Sequence, residues 1–175
     1  KLFILLDLDG LLSVNFKILL FKDKVDYIKR ISDDDIKSAF AGVQVPSRME
    51  VFKGTPDVIL DGGHNPAGVS AMLSTLMSMG VENAVMIFGM VSDKDSQAAA
   101  EMISTYAKAV ICVDGFAPNA VKAADIAETA DFLTETEYGT LTECVEKAKA
   151  LALENDGIVV VCGSLYLASE YLNMI

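Results

Sequence analysis

The chain has a single histidine, three cysteines and four prolines, and its 14 lysines and arginines are outnumbered by 25 acidic residues. The resulting net charge of −11 repels phosphate backbones and anionic lipid, so neither nucleic acid nor a membrane surface is an expected partner. Three widely spaced cysteines, Cys112, Cys144 and Cys162, give neither a disulfide framework nor a metal-binding pattern, and point to a reducing, cytoplasmic setting. No G-x-x-x-x-G-K-S/T phosphate loop occurs anywhere, so the backbone cradle such a loop offers a nucleotide is missing. The apolar start, Lys1 to Leu12, is broken by Asp7 and Asp9, too short and too charged to span a bilayer, and lacks the small-residue cleavage site of a secretion signal. It opens on Lys1 rather than methionine, which fits a start partway into a longer protein. No internal repeat or low-complexity stretch is visible.

What is present is a globular composition, 52% hydrophobic over 175 residues, enough for one domain with a fragment of a second. Short apolar runs at Val58–Leu60, Val85–Phe88, Ala109–Val113 and Ile158–Cys162 read as strands buried on both faces. Between them, Ala67–Met79, Lys94–Lys108, Asn119–Ala130 and Leu141–Glu154 read as helices, the last with an apolar stripe at spacings of three and four. Thr140 and Asp93 are candidate caps for the helices that follow them. The methionines, including Met72, Met77 and Met79, read as core filling. The alternation predicts an α/β fold: a Rossmann-like, open, mostly parallel sheet of about six strands with helices on both faces. An edge strand is expected within 47–52. Ahead of this, Phe3–Leu8 suggests a strand, Val14–Arg30 a helical mixture, and Ser32 a cap for a short helix over Asp33–Phe40. The expected division is 1–42, a linker or the end of a preceding domain, and 43–175, the α/β domain.

Ligands of open α/β sheets collect at the carboxyl ends of the strands. Three such ends are chemically unusual here. One runs Val58-Ile59-Leu60-Asp61-Gly62-Gly63-His64-Asn65-Pro66 into a helix whose first N–H groups suit an anion. A second runs Phe88-Gly89-Met90-Val91-Ser92-Asp93-Lys94-Asp95, and a third Val161-Cys162-Gly163-Ser164-Leu165-Tyr166-Leu167. Each has a plain structural reading: a turn at Asp61-Gly62, a loop histidine, a capping serine at Ser164, solvated charges at a helix start. Their recurrence at equivalent ends of several strands is what points to a shared site.

These segments resemble a known family. Leu60 to Pro66 is similar to the LDGAHNP signature of folylpolyglutamate synthase/dihydrofolate synthase, the folate branch of the Mur ligase superfamily, with Gly63 where alanine is usual. Phe88-Gly89-Met90 with Asp93-Lys94-Asp95 resembles its FG-M-x-x-DKD segment, and Gly163 to Leu167 its GSLYL segment. Val45 to Glu50 resembles WPGRLE, with Val45 for tryptophan and Ser47 for glycine. Gly10 to Asn15 is similar to a G-x-H-Q-x-x-N stretch, although Asn15 arrives one residue early and Ser13 replaces glutamine. The likeness covers roughly 31–175 and implies the C-terminal domain of such a ligase.

The resemblance implies an ATP-dependent, Mg²⁺-assisted ligase that activates a folate or dihydropteroate carboxylate as an acyl phosphate and joins it to the amine of glutamate. It further implies that Arg48 reaches the ATP phosphates, that Asp61 and Asn15 serve the nucleotide, that His64 and Ser164 hold the γ-phosphate and the incoming glutamate, and that Lys94 neutralises developing charge. Asp61, His64 and Lys94 are thus the candidate catalytic residues, Arg48, Asp61 and Asn15 the cofactor-binding ones, and His64 and Ser164 the substrate-binding ones. No metal ligand is assigned. The phosphate loop and most metal ligands lie in the family's N-terminal and central domains, so this chain alone is expected to be inactive. Two rival readings stand beside it. One is a non-catalytic α/β module that binds a nucleotide or a partner protein. The other is a haloacid-dehalogenase-type phosphatase, whose DLDGTL nucleophile motif Asp7 to Leu12 resembles with Leu11 in place of threonine.

Overall fold

The computed structural model of the chain describes residues 32, 34, 35, 38, 45–129 and 140–175. The expected strand at 3–8, the helical mixture at 14–30, the phosphatase-like segment at 7–12 and Asn15 lie outside the described residues. The chain divides into two compact units, Lys1–Val45 and Pro46–Ile175. In the first, residues 34, 35 and 38 are helical, and Ser32 caps them as its neighbours suggest. The Asp35 N–H donates to the Ser32 hydroxyl at 3.1 Å, and the Asp35 carboxylate accepts from the Ser32 N–H at 2.9 Å.

The second unit runs β1 (Glu50–Phe52), β2 (Val58–Asp61), α1 (Pro66–Ser78), β3 (Ala84–Phe88), α2 (Ser96–Ser104), β4 (Ala109–Cys112), α3 (Ala123–Thr129), α4 (Leu141–Glu154), β5 (Ile158–Cys162) and α5 (Leu165–Met174). Its strands form one sheet in the order β1-β2-β5-β3-β4. All neighbours are parallel except β1, which pairs antiparallel with β2 at the edge. Five strands are described where about six were expected, and the edge strand falls inside 47–52.

The strand residues sort by parity, as a pleated sheet requires. Ile59, Met86, Phe88, Val110, Cys112, Val160 and Cys162 face a core closed by α1, α2 and α3. Val58, Leu60, Val85, Ile87, Ile111, Val159 and Val161 face a second core closed by α4 and α5. Both faces are covered, which is why these strands read as continuous apolar runs rather than alternating ones. The chain steps from β2 to β3 to β4, then returns through α4 on the opposite face to place β5 between β2 and β3. The carboxyl ends of β2, β5 and β3 therefore lie side by side on one rim.

Some boundaries differ from the sequence reading. The second helix begins at Ser96 because Asp95, not Asp93, caps it: the Ala98 N–H donates to Asp95 Oδ1 at 3.0 Å. Asp93 instead turns its carboxylate to Lys94. The third helix starts at Ala123 rather than Asn119, since 119–121 is drawn into pairing with the end of β3. The Ser92 N–H donates to the Asn119 carbonyl, and the Val121 N–H to the Met90 carbonyl. Thr140 caps α4 in a reciprocal capping box with Glu143. Met72 is core, but Met77 and Met79, at 59% and 51% exposed, lie on the last turn of α1 and just beyond it, off the core face. The three cysteines are free and buried. Burial pushes the Cys112 thiol up to about 12, and Cys162 higher still, so both are inert packing groups.

Candidate functional site

Each strand end on the common rim delivers one functional group by a different local device. After β2, Asp61 leads into Gly62 and Gly63, and Asn65 caps α1 by accepting from the Gly68 N–H at 2.8 Å. Pro66 occupies the first turn of that helix, where its missing N–H costs nothing. His64 sits between turn and cap, half-buried, with Nδ1 3.1 Å from the Gly62 carbonyl oxygen. A carbonyl only accepts, so the proton of the neutral ring belongs on Nδ1 and the lone pair on Nε2.

After β5, Gly163 adopts φ 104, a conformation side-chain-bearing residues avoid. A Cβ at this position would lie 2.5 Å from the Gly89 carbonyl oxygen and 2.7 Å from the Phe88 ring. The glycine thus lets the ends of β5 and β3 touch. Ser164 follows in extended geometry and caps α5, accepting from the Tyr166 N–H at 3.1 Å. It is only 1% exposed, while Tyr166 is 62% exposed.

After β3, the chain passes Val91 and Ser92 to Asp93 and Lys94. Lys94 Nζ lies 3.1 Å from Asp93 Oδ2. That hydrogen bond holds the Asp93 carboxyl below its usual range, with the charges of Lys94 and His64 adding to the effect.

These ends meet. A cleft of about 260 Å³ is lined by His64, Val91, Asp93, Lys94, Asn119, Ser164, Leu165 and Tyr166. His64, Lys94 and Ser164 are therefore brought together by three separate strands. Asp93, Asn119 and Tyr166 join them without having been singled out from the sequence as site residues. The position of Asn119 depends on the pairing of Val91 with Ala120, for which the sequence carries no periodic signal.

Two sequence candidates stand apart from the cleft lining. Arg48 is exposed on the turn that precedes β1. Asp61 is 6% exposed, and its carboxylate is occupied by backbone. The Met49 N–H donates to Oδ2 at 3.0 Å and the Gly63 N–H to Oδ1 at 2.8 Å. Burial raises its pKa above 3.8, against the pull of those two hydrogen bonds and the nearby Arg48 charge. Among the described residues no three His, Cys, Asp or Glu side chains gather in a way that could hold a metal ion. Among the same residues no helix is long and apolar enough to cross a membrane.

Known proteins share this architecture. A family model described as Mur ligase, glutamate ligase domain, matches residues 47–165. The chain is 31% identical over 145 residues to a probable bifunctional folylpolyglutamate synthase/dihydropteroate synthase of Halobacterium salinarum, covering 80% of this chain and 17% of that protein. It is 29% identical over 146 residues to the folylpolyglutamate synthase of Lacticaseibacillus casei, covering 79% of this chain and 32% of that one. The structure of Mycobacterium tuberculosis folylpolyglutamate synthase complexed with ADP superposes with a TM-score of 0.72 at 24% identity, over 83% of this chain and 35% of that chain, a likeness of fold. The chain spans less than a third of the length of either of these curated relatives. A parallel sheet with one antiparallel edge, a polar cleft on its carboxyl rim and a family match over most of the chain converge on one conclusion: the chain belongs to the Mur ligase glutamate ligase domain family.

Proposed function

We propose that this chain is the C-terminal, glutamate-handling part of a cytoplasmic ATP-dependent ligase that adds glutamate to folate or dihydropteroate, and that it does not turn over by itself. The observation that carries the reading is the convergence of His64, Lys94 and Ser164 on one cleft from the ends of three strands. The naming of the relatives supports the folate branch.

In the proposed reaction the substrate carboxylate takes the γ-phosphoryl group of ATP and ADP departs. The amine of glutamate then attacks the acyl carbon, and inorganic phosphate leaves. The cleft suits the glutamate half of this chemistry. Its volume takes an amino acid rather than a whole nucleotide, and Asp93 and Lys94 offer both signs of charge to a zwitterion. His64 Nε2, with its lone pair, is placed to accept a proton or hydrogen bond from an amine. Ser164 fixes the start of α5, whose first N–H groups favour a carboxylate. Arg48, exposed on its turn, is the group assigned to the ATP phosphates across a domain cleft. The described residues do not fit Mg²⁺, so its ligands and the phosphate cradle belong to the N-terminal and central domains of a longer protein. No step here is routed through the metal.

The test is a comparison of two proteins under the same ATP, Mg²⁺, glutamate and folate. The isolated 175-residue chain is expected to show no ATP-dependent glutamate addition, and the longer protein that includes a phosphate loop is expected to show it. In that longer protein, His64→Ala is expected to lower kcat/KM by at least about tenfold, the lower end of what a positioned proton-transfer group supplies. Turnover by the isolated chain, or a longer protein inert toward folates, would end this reading.

A further inference from the structure

The turn before β1 holds a backbone conformation that its own residues disfavour. Ser47 has φ 57 and Met49 has φ 47, both left-handed, and neither is glycine. Each such residue costs roughly 1 kcal/mol or more, so the turn persists only if the surroundings hold it. Three bonds do so. The Gly62 N–H donates to the Ser47 carbonyl at 2.7 Å, and the Ser47 N–H donates to the Glu50 carboxylate at 2.9 Å. The third is the bond from the Met49 N–H to Oδ2 of Asp61. Between the two strained residues sits Arg48, facing solvent.

Asp61 reaches this turn from twelve residues away while its other oxygen is tied to its own loop through Gly63. Gly63 leaves the space for that geometry, since a Cβ there would fall 2.8 Å from Asp61 Oδ1. The carboxylate thus clamps the end of β2 to the start of β1, with little surface left for a ligand.

We propose that Asp61 is a positioning residue. Its carboxylate latches the left-handed turn Ser47–Met49 and so presents Arg48, and it acts through that arginine rather than by touching nucleotide, metal or glutamate. The role given to Arg48 rests on the ligase reading above; the latch itself does not.

Two measurements separate these parts. In the 175-residue chain, Asp61→Asn is expected to speed amide hydrogen exchange at Met49 at least about tenfold, because an amide nitrogen cannot accept where a carboxylate oxygen did. Adding Ser47→Gly, which makes the turn favourable in itself, is expected to slow that exchange again. Should Asp61→Asn fail to fold, Asp61→Glu keeps the charge, changes the reach and is read the same way. Unchanged exchange at Met49 would overturn the latch whatever the ligase does.

In the longer protein, Asp61→Asn is expected to raise KM for ATP about as much as Arg48→Ala does, with the double variant little worse than Arg48→Ala alone. Ser47→Gly is expected to recover part of the Asp61→Asn loss. Additive losses, or no recovery by Ser47→Gly, would mean that Asp61 contacts a reactant itself and would overturn the proposal. A longer protein without ligase activity would count against the enzyme reading while leaving the exchange result to decide the latch.

Discussion

Two turns on the same rim solve the same geometric problem in opposite ways. At 162–164 the backbone must pass through a left-handed position pressed against Gly89 and Phe88, and a glycine stands there. At 47–49 the backbone passes through two left-handed positions with serine and methionine, and distant hydrogen bonds hold them. The first conformation is written into residue type and survives any change that spares Gly163. The second is borrowed from the rest of the fold and lasts only while Asp61 and Gly62 supply their bonds. A turn that carries an exposed arginine toward a reactant gains from being held at a distance, because the same contacts that hold it also tie it to the neighbouring strand end.

The contrast can be broken at its stronger side first. Gly163→Ala meets a strained φ and a contact 2.5 Å from the Gly89 carbonyl oxygen, and is expected to cost about 3 kcal/mol or more, read from urea unfolding. Asp61→Asn is expected to cost less, about 2 kcal/mol, by leaving one backbone donor without its acceptor. Its pH dependence has a definite sign. Burial raises the folded pKa of Asp61 above 3.8, so across that window the folded chain holds more protons at this site than the unfolded one. The stability this group contributes is therefore greatest below the unfolded value and declines as pH rises through the folded one. The gap between wild type and Asp61→Asn should be wider near about pH 4 than near about pH 7, a comparison of two pairs of urea midpoints. The smallest effect sharpens the contrast from the other direction. Ser47→Gly is expected to stabilise the chain by up to about 1 kcal/mol, seen as a higher melting temperature, since it makes the second turn more like the first. A loss of stability there would show that Ser47 is not strained.

Much of the fold could be read from the residues, and the reasons are local. Leu141–Glu154 is the same in both readings because Thr140, Glu143 and an apolar stripe at three and four mark it independently. The buried strands are equally plain, since runs such as Ala84–Phe88 are covered on both faces. The starts of α2 and α3 were less legible because they depend on tertiary choices. Asp93 and Asp95 are equivalent as caps until Lys94 takes one of them, and 119–121 looks helical until it pairs beside Met90 and Val91. The same division runs through the site. His64, Lys94 and Ser164 stood out because glycine and polar residues interrupt apolar strands at those points. The bond from Met49 to Asp61 did not, because it joins residues twelve apart through a backbone conformation that neither residue type announces.

The placement of β5 bears on how the chain is made. The last strand to leave the ribosome occupies the middle of the sheet, hydrogen-bonded to β2 on one side and β3 on the other. Until residues 158–162 emerge, the nascent sheet is split in two. Each half then shows an unpaired edge, Val58–Asp61 on one and Ala84–Phe88 on the other, of the flat apolar kind that recruits foreign strands. Synthesis therefore ends with an insertion rather than an addition, and a chain stopped short of Ile158 is an aggregation hazard rather than a smaller version of the same domain.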